Sequence, residues 1–466
     1  MSYMTHKTHR AYTIKRRLMK KYDVIIVGAG PAGIFAALEL AKVGGLKIAI
    51  LDKGSDIRKR VKEIPRSLLC GWGGAGAFSD GKLTLSTAVG GQLTSYMPDE
   101  EVERLIRYVD QIYLDYGAPE KVYGTNEDEV QRIARLAVLA DLKLIPSAIR
   151  HVGTDQWPAL LMRFEETISA KVDILMETAA SRILVSEGKV SGIETLSGEI
   201  LESKYVIVAP GREGADWLLE EARRLDLEQV INPVDIGVRV EIPAPVLEPL
   251  TSIIYEPKLI YYTPSFDDRV RTFCVCPYGE VVTEYDDSVT TVNGHSYATK
   301  RTNNTNFALL VSTMFTEPFK EPIIYGKYIA SLSNLLSGSV IVQRLGDLKS
   351  GRRSTWSRIE HGLVDPTLKT AVPGDLSFVL PYRHLSGIID MLNALDKLAP
   401  GVASRHTLLY GVEVKFYSSR LRLTPSLETD IMNLFTIGDG AGVTRGLVQA
   451  SAAGVVAARE IIKRAL

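Results

Sequence analysis

Two apolar rhythms alternate along the chain. In KKYDVIIVGAGPAG the run Val24 to Val27 is unbroken and meets glycine at once, the pattern of a buried parallel strand ending in a tight turn. IFAALELAKV follows, with good helix formers and apolar residues at helical spacing. KIAILD then predicts a second strand, ending at Asp52, nineteen residues past Gly33. DEEVERLIRYVDQIYLDYG and EDEVQRIARLAVLADL predict helices in a mostly helical stretch over residues 85–150. SRILVSEGKVSGIETLSGEILESKYVIVAPGREG alternates strands with EGK and SGE turns and closes on an apolar strand at Ala209, Pro210 and Gly211. Over 225–400, short runs such as DIGVRVEI, KLIYYT and TFCVCP alternate with turn residues, predicting a mixed sheet with helices packed on it. LFTIGDGAGVTRGLVQASAAGVVAAREI completes the chain with a strand, a glycine turn and a helix rich in Ala and Gly.

This order predicts an α/β fold: a Rossmann-like dinucleotide-binding domain, a parallel sheet with a three-stranded crossover, interrupted by a mixed α+β domain. The expected parts are a basic, disordered extension over 1–20, the binding domain over 21–224 and 401–466, and an inserted substrate or cap domain over 225–400. The stretch MSYMTHKTHRAYTIKRRLMKK carries seven Lys/Arg and no acid but no apolar core of a signal peptide, which allows an alternative start at Met19.

GAGPAG (Gly28, Ala29, Gly30, Pro31, Ala32, Gly33) and GWGGAG (Gly71 to Gly76) both fit G-x-G-x-x-G. Only the first has a strand before it, a helix after it and an acid, Asp52, at the distance expected for a ribose diol. Gly28 permits the turn, Gly30 lets backbone approach a pyrophosphate, and Gly33 lets helix and strand pack; phosphate charge then meets a helix N-terminus. GWGGAG follows a proline-containing stretch and leads into a Ser-Asp-Gly turn, so it predicts a loop that covers the same ligand near its reactive end, through Gly73, Gly74, Ala75, Gly76, Ser79, Gly81 and Lys82.

GAGPAG, the crossover ending at Ala209 and Gly211, and GDGAG (Gly438, Asp439, Gly440, Gly442, with Val443 after it) resemble, in that order, the motifs of the two-motif FAD flavoproteins. The resemblance implies non-covalent FAD, with Asp52 and Lys53 near the adenosine and Asp439 near the ribityl chain. It also implies a last helix aimed at the flavin edge where reduction places negative charge. Proline at 210 replaces the usual threonine. GGAGAFSDGKLT, RHVGTD, DIGVRVE, TFCVCPYGEVV, VNGHS and GVEVKF narrow the resemblance to a prokaryotic family of FAD-dependent dehydrogenases, over nearly everything after Met19. It implies an FAD-dependent oxidoreductase passing hydride or electrons between flavin and a small-molecule substrate. No second strand-glycine-helix pattern lies between Gly211 and Gly438, so NAD(P)H is expected only as a transient donor, if at all.

Four residues are the catalytic candidates. On an extended strand Thr272, Cys274 and Cys276 face one side, and the thiols are either a strained redox pair or two small inert residues. Lys82 is placed to stabilise anionic reduced flavin, and His295 to move protons near neutral pH. His151, Asp80, Arg445, the pair Arg352 and Arg353, and Cys70 beside the glycine loop are further candidates. Three alternative activities follow from the same residues: a thiol-disulfide oxidoreductase using Cys274 and Cys276, a reductase of lipid or isoprenoid double bonds, and a non-enzymatic electron carrier or binding module with a redox partner protein.

Composition narrows the classes. Formal charge is zero over 466 residues, which leaves no electrostatic footprint for nucleic acid. No apolar run approaches a membrane span, three cysteines make no disulfide framework, and the seven histidines never pair at a metal-ligand spacing. A cytoplasmic enzyme without a structural metal is expected.

Overall fold

A computed structural model describes residues 19–63, 69–230, 233–286, 289–313, 315, 322–415 and 420–466. The extension expected over 1–20 lies outside these as far as residue 18. Met19 and Lys20 belong to the first strand, Met19–Val27, paired with Ile200 and Leu201.

That strand is central to a seven-stranded sheet. It runs parallel to Ile48–Leu51 on one side and Ile200–Val208 on the other, and Val172–Leu175 extends the sheet beyond Ile48–Leu51. Val24, Ile25 and Ile26 are fully buried, so both sides of the strand are covered and no polar side is left for alternation. Ile200–Val208 changes partner along its length. Ile200 to Glu202 pair antiparallel with Lys189–Thr195, which pairs with Ala180–Ser186, while Val206 to Val208 pair parallel with Leu434–Thr436. One long strand is thus both the last of the crossover meander and a member of the parallel sheet, and it brings residue 434 beside residue 206.

The second sheet has eight strands in the order Val372–Pro373, Ile341–Arg344, Leu408–Lys415, Val234–Pro243, Asn304–Thr313, Arg269–Cys276, Lys258–Tyr262 and Lys143–Ile145. It reaches past the 225–400 span at both ends, since Leu408–Lys415 and Lys143–Ile145 are members of it. The 85–150 stretch contains the two helices expected, Asp99–Asp115 and Glu127–Leu139. It also contains Val122–Tyr123, which pairs with Ala148–His151, as does Lys82–Leu85. A separate hairpin, Glu280–Asp286 with Val289–His295, leans over the second sheet. Among the described residues no helix is long and apolar enough to cross a membrane.

Candidate active site

The dinucleotide end is built from turns. Gly28 has φ +105°, and a Cβ there would stand 1.9 Å from the Ala209 carbonyl oxygen, so only glycine lets the two strand ends meet. Gly30 caps the helix Pro31–Ala41 and faces Gly74 of the second glycine loop, which starts a short 3-10 turn, Gly74–Phe78. The loop is fastened there: Gly73 N donates to Ala29 O at 2.7 Å, Trp72 Nε1 to Leu161 O at 2.9 Å, and buried Arg60 to Trp72 O at 2.6 Å. At Gly76 it passes Pro31 and Leu447, the first residue of the last helix, Leu447–Ala465. GWGGAG therefore lies across both helix N-termini, opposite GAGPAG. Ser79 turns its hydroxyl back to Gly76 O at 2.8 Å, and Gly81 has φ +66°.

Asp52 does more than wait for a ribose. Its Oδ2 accepts from Ala29 N at 2.9 Å, and its Oδ1 accepts from Gly54 N at 2.8 Å and Gly71 N at 2.7 Å, so one carboxylate ties three loops together. It lines a cavity of about 220 Å³ with Gly28, Gly30, Lys53, Gly74, Ala209 and Gly211. Cys70 lines the same cavity, away from the other two cysteines, and burial raises its thiol. Lys53 pairs with Glu213 at 2.7 Å.

The fit to FAD rests on this cavity. A Cβ at Gly211 would meet nothing within 4 Å, and one at Gly30 only Gly74 Cα at 3.9 Å, so bare backbone faces open space of the kind a pyrophosphate needs. Farther along, Asp439 accepts from Thr444 Oγ1 at 2.7 Å, Gly442 has φ +70°, and Val443 O accepts from Gln92 N at 2.9 Å. Gln449 reaches from the last helix to the carbonyls of Thr87 and Val89 at 3.2 and 3.0 Å, and binds residues 86–93 to that helix. Arg445 N donates to Gly90 O at 2.9 Å.

Four residues past Gly76 the chain enters a second site. Lys82 Nζ lies 2.8 Å from Asp80, 3.3 Å from Glu256, 2.5 Å from Val275 O and 3.8 Å from the sulfurs of both Cys274 and Cys276. From the opposite side Arg239, wholly buried, donates to Cys276 Sγ at 3.1 Å, Cys274 O at 2.7 Å and Asn306 Oδ1 at 2.8 Å, and pairs with Glu413 at 3.4 Å. The guanidinium has room because residue 294 is glycine: a Cβ there would be 1.9 Å from Arg239 Nη2.

The strand carrying the cysteines is not regularly extended, as its alternation predicted. Phe273 pairs with Ala308 and Cys276 with Asn306, so the Cys strand spends one more residue than its partner. Cys274 takes up that residue in a left-handed conformation, φ +45°. This bulge leaves the two sulfurs 3.9 Å apart as free thiols. Thr272 instead bonds Pro257 O at 2.7 Å.

Charge around the sulfurs forms two chains of ion pairs. One joins Asp80, Lys82, Glu256 and Lys258. The other joins Arg239, Glu413, Lys415, Glu284 and Arg212. The first is neutral, and so are the enclosed members of the second, Arg239, Glu413, Lys415 and Glu284, with Arg212 exposed at the end of the chain. The hydrogen bond from Cys276 lowers the Cys274 thiol to about 6, against the opposing effect of burial and with help from Lys82. Burial and the Cys274 charge push Cys276 the other way. Burial brings His151 down to about 4, and it stacks on Tyr255 beside Ser296 at 3.2 Å. His295 is likewise lowered by burial, so both imidazoles are neutral at pH 7.

The cluster thus gathers Cys274, Cys276, Lys82, His295, Asp80 and His151. Arg352 stands elsewhere, held by Asp347 at 2.9 Å. Arg239, Glu256, Glu284, Glu413 and Lys415 were not anticipated, although DIGVRVE and GVEVKF place charged residues in otherwise apolar strands, and that is the signal of a buried ion network.

Lys82→Met gives a direct check on this electrostatics. The alkylation rate of Cys274, followed by peptide mass, should rise with a midpoint near pH 6 in the unaltered protein. In the variant the midpoint should move up, while the Cys276 hydrogen bond still holds it below the ordinary value of 9. Because this thiol is depressed on folding, its stabilising contribution is present above its ordinary value of 9 and is lost as pH falls through about 6. An unchanged midpoint would mean that Lys82 does not set the thiolate.

Comparison with known proteins gives two adjoining family matches. Residues 22–232 match the family described as pyridine nucleotide-disulphide oxidoreductase, and residues 233–416 the one described as FAD-dependent protein, C-terminal domain-like. A Clostridium beijerinckii protein described as uncharacterized is 28% identical over 94% of this chain and 80% of its own. Protein FixC of Salmonella typhi is 26% identical over 49% of this chain and 45% of its own. Among solved structures, L-proline dehydrogenase from P. horikoshii covers 96% of this chain and 95% of its own at 12% identity and a TM-score of 0.44.

Proposed function

We propose, for a chain that belongs to the two-motif FAD flavoproteins, that the reaction of this FAD-dependent oxidoreductase takes place where Asp80 and Lys82 meet the second sheet. One observation carries the reading. Lys82 comes from the loop that lies across both helix N-termini, and its ammonium ends among Glu256, Val275 and the two cysteines of the other domain. A ligand gripped by the glycine turns and a small molecule under the second sheet would share that junction, where ligand sites are favoured.

FAD supplies two-electron chemistry when bound, and the chain supplies placement and charge. The N-terminus of Pro31–Ala41, Gly30 and Gly74 would hold the pyrophosphate, Asp52 the ribose and Asp439 the ribityl chain. Lys82 stays protonated, because Asp80, both cysteines and Glu256 outweigh the cost of its burial, so it is a fixed cation rather than a base. His151 and His295, held neutral by burial, would serve as hydrogen-bond partners for a ligand rather than as proton carriers. The substrate is a small molecule, and any nicotinamide donor would visit the same face.

An anaerobic spectrum tests this. The purified chain should carry FAD that bleaches fully with dithionite, and NADH and NADPH added beforehand would show whether nicotinamide is the donor. A protein that takes up no FAD, or whose flavin cannot be reduced, would sink the reading.

A further inference from the structure

We infer that Cys274 and Cys276 form a dithiol–disulfide couple that exchanges an electron pair with the bound flavin. The inference rests on the oxidoreductase reading and gives it a second redox centre. The pair lies outside residues 22–232, where the pyridine nucleotide-disulphide oxidoreductase match falls.

Geometry distinguishes the pair from two inert core residues. Inert buried cysteines sit among apolar side chains, whereas these sulfurs lie between an ammonium 3.8 Å away and a guanidinium 3.1 Å away. The bulge at Cys274 brings side chains two positions apart to a sulfur separation of 3.9 Å, which leaves about 1.9 Å to close by side-chain rotation. A metal would be the other use of this trio, since Asp80 offers an oxygen within 4.8 Å of both sulfurs. Lys82 and Arg239 argue against it, because a cation there would face both positive groups, and Asp80 Oδ2 is already on Lys82.

Access decides the partner. Cys276 is fully buried and Cys274 only partly exposed, which disfavours a protein disulfide as partner and favours a bound group that reaches Cys274 from the side of Lys82. Oxidation joins the Cys274 thiolate to the Cys276 thiol by one S–S bond and releases two electrons and one proton, all delivered to oxidised flavin as its reduced anion. Net charge is minus one before and after. The negative charge leaves the sulfurs for the flavin, and the Lys82 ammonium stays on the side of the sulfurs from which it leaves. Run backwards, reduced flavin opens the disulfide.

Dithionite titration of the FAD-loaded full chain, with peptide mapping, tests the couple. The oxidised protein should take up about four electrons per chain and Cys276→Ser about two, because flavin and disulfide are each two-electron couples. After acid quench and alkylation, the oxidised sample should yield a Cys274–Cys276 linked peptide with only Cys70 alkylated, and the reduced sample three alkylated cysteines. The map uses the unaltered chain, so it decides even if Cys276→Ser does not fold. Uptake of about two electrons with three free thiols in both samples overturns the couple and leaves flavin reduction, and the oxidoreductase reading, standing. A linked peptide beside flavin that dithionite cannot reduce overturns both.

Discussion

Replacing Gly28 with alanine should strip the purified protein of its FAD. At φ +105° a side chain is strained by about 1–3 kcal/mol whatever surrounds it. Here the new Cβ also meets the Ala209 carbonyl oxygen at 1.9 Å and its carbon at 2.7 Å. That carbonyl cannot step aside, because Ala209 N bonds Val27 O at 2.7 Å and Ile437 N bonds the preceding carbonyl at 2.9 Å. The glycine turn must move instead, and overpacking of this kind costs a further 1–3 kcal/mol or so. Together these predict a loss of FAD affinity of about 30-fold or more. Flavin absorbance relative to protein absorbance in the purified variant gives the occupancy. Gly44→Ala is the control, since a Cβ there meets nothing within 4 Å. Full occupancy in Gly28→Ala would show that this turn does not hold the cofactor.

The second large effect is on stability. Arg239→Met removes a buried guanidinium that satisfies Cys274 O and Asn306 Oδ1 and faces Glu413, itself fully buried. Glu413 then keeps only Lys415, at 3.2 Å, which it shares with Glu284. Breaking a buried pair from one side costs about 3–5 kcal/mol, because the remaining charge stays out of water. For a unit of this size that is a fall in Tm of roughly 6–20 °C. Arg239→Lys should recover only part of it, since an ammonium cannot span the acceptors that the planar fork reaches. A Tm within about 2 °C of the parent for Arg239→Met would mean that the network repacks without its central cation.

Much of the dinucleotide end was legible because its demands are local. GAGPAG and GDGAG must be glycines to form their turns, and the strand or helix on either side announces itself by apolar spacing. The loop GWGGAG could be set apart from GAGPAG by what flanks it, and it lies opposite the true turn. The cluster was legible only in part. Lys82, Cys274, Cys276 and His295 stand out as chemistry, but their meeting depends on strands scattered between residues 234 and 415. The bulge at Cys274 broke the two-residue alternation on which the facing of the thiols was argued, and no signal in TFCVCP marks which residue turns left-handed. Arg239 and Glu413 read as ordinary strand charges until the sheet buries them. Asp52 was expected at the ribose, and its three backbone hydrogen bonds became visible only when residues 29, 54 and 71 came together.

One feature of the parallel sheet bears on how the molecule is made. The strand Leu434–Thr436 and the helix behind it complete a site whose other half, Gly28 to Gly33, emerges some four hundred residues earlier. During synthesis the first glycine turn therefore precedes its partner strand by the whole of the second sheet, and the end of Ile200–Val208 lacks that neighbour until the chain is nearly complete. A strand edge left open for that long invites wrong pairing. The meander Ala180–Ser186 and Lys189–Thr195 already covers Ile200 to Glu202 on that edge, so the open part begins at Ser203 and holds the docking residues Val206 to Val208. The crossover thus shortens the open edge of Ile200–Val208 that the last strand must find, because its first part is already paired.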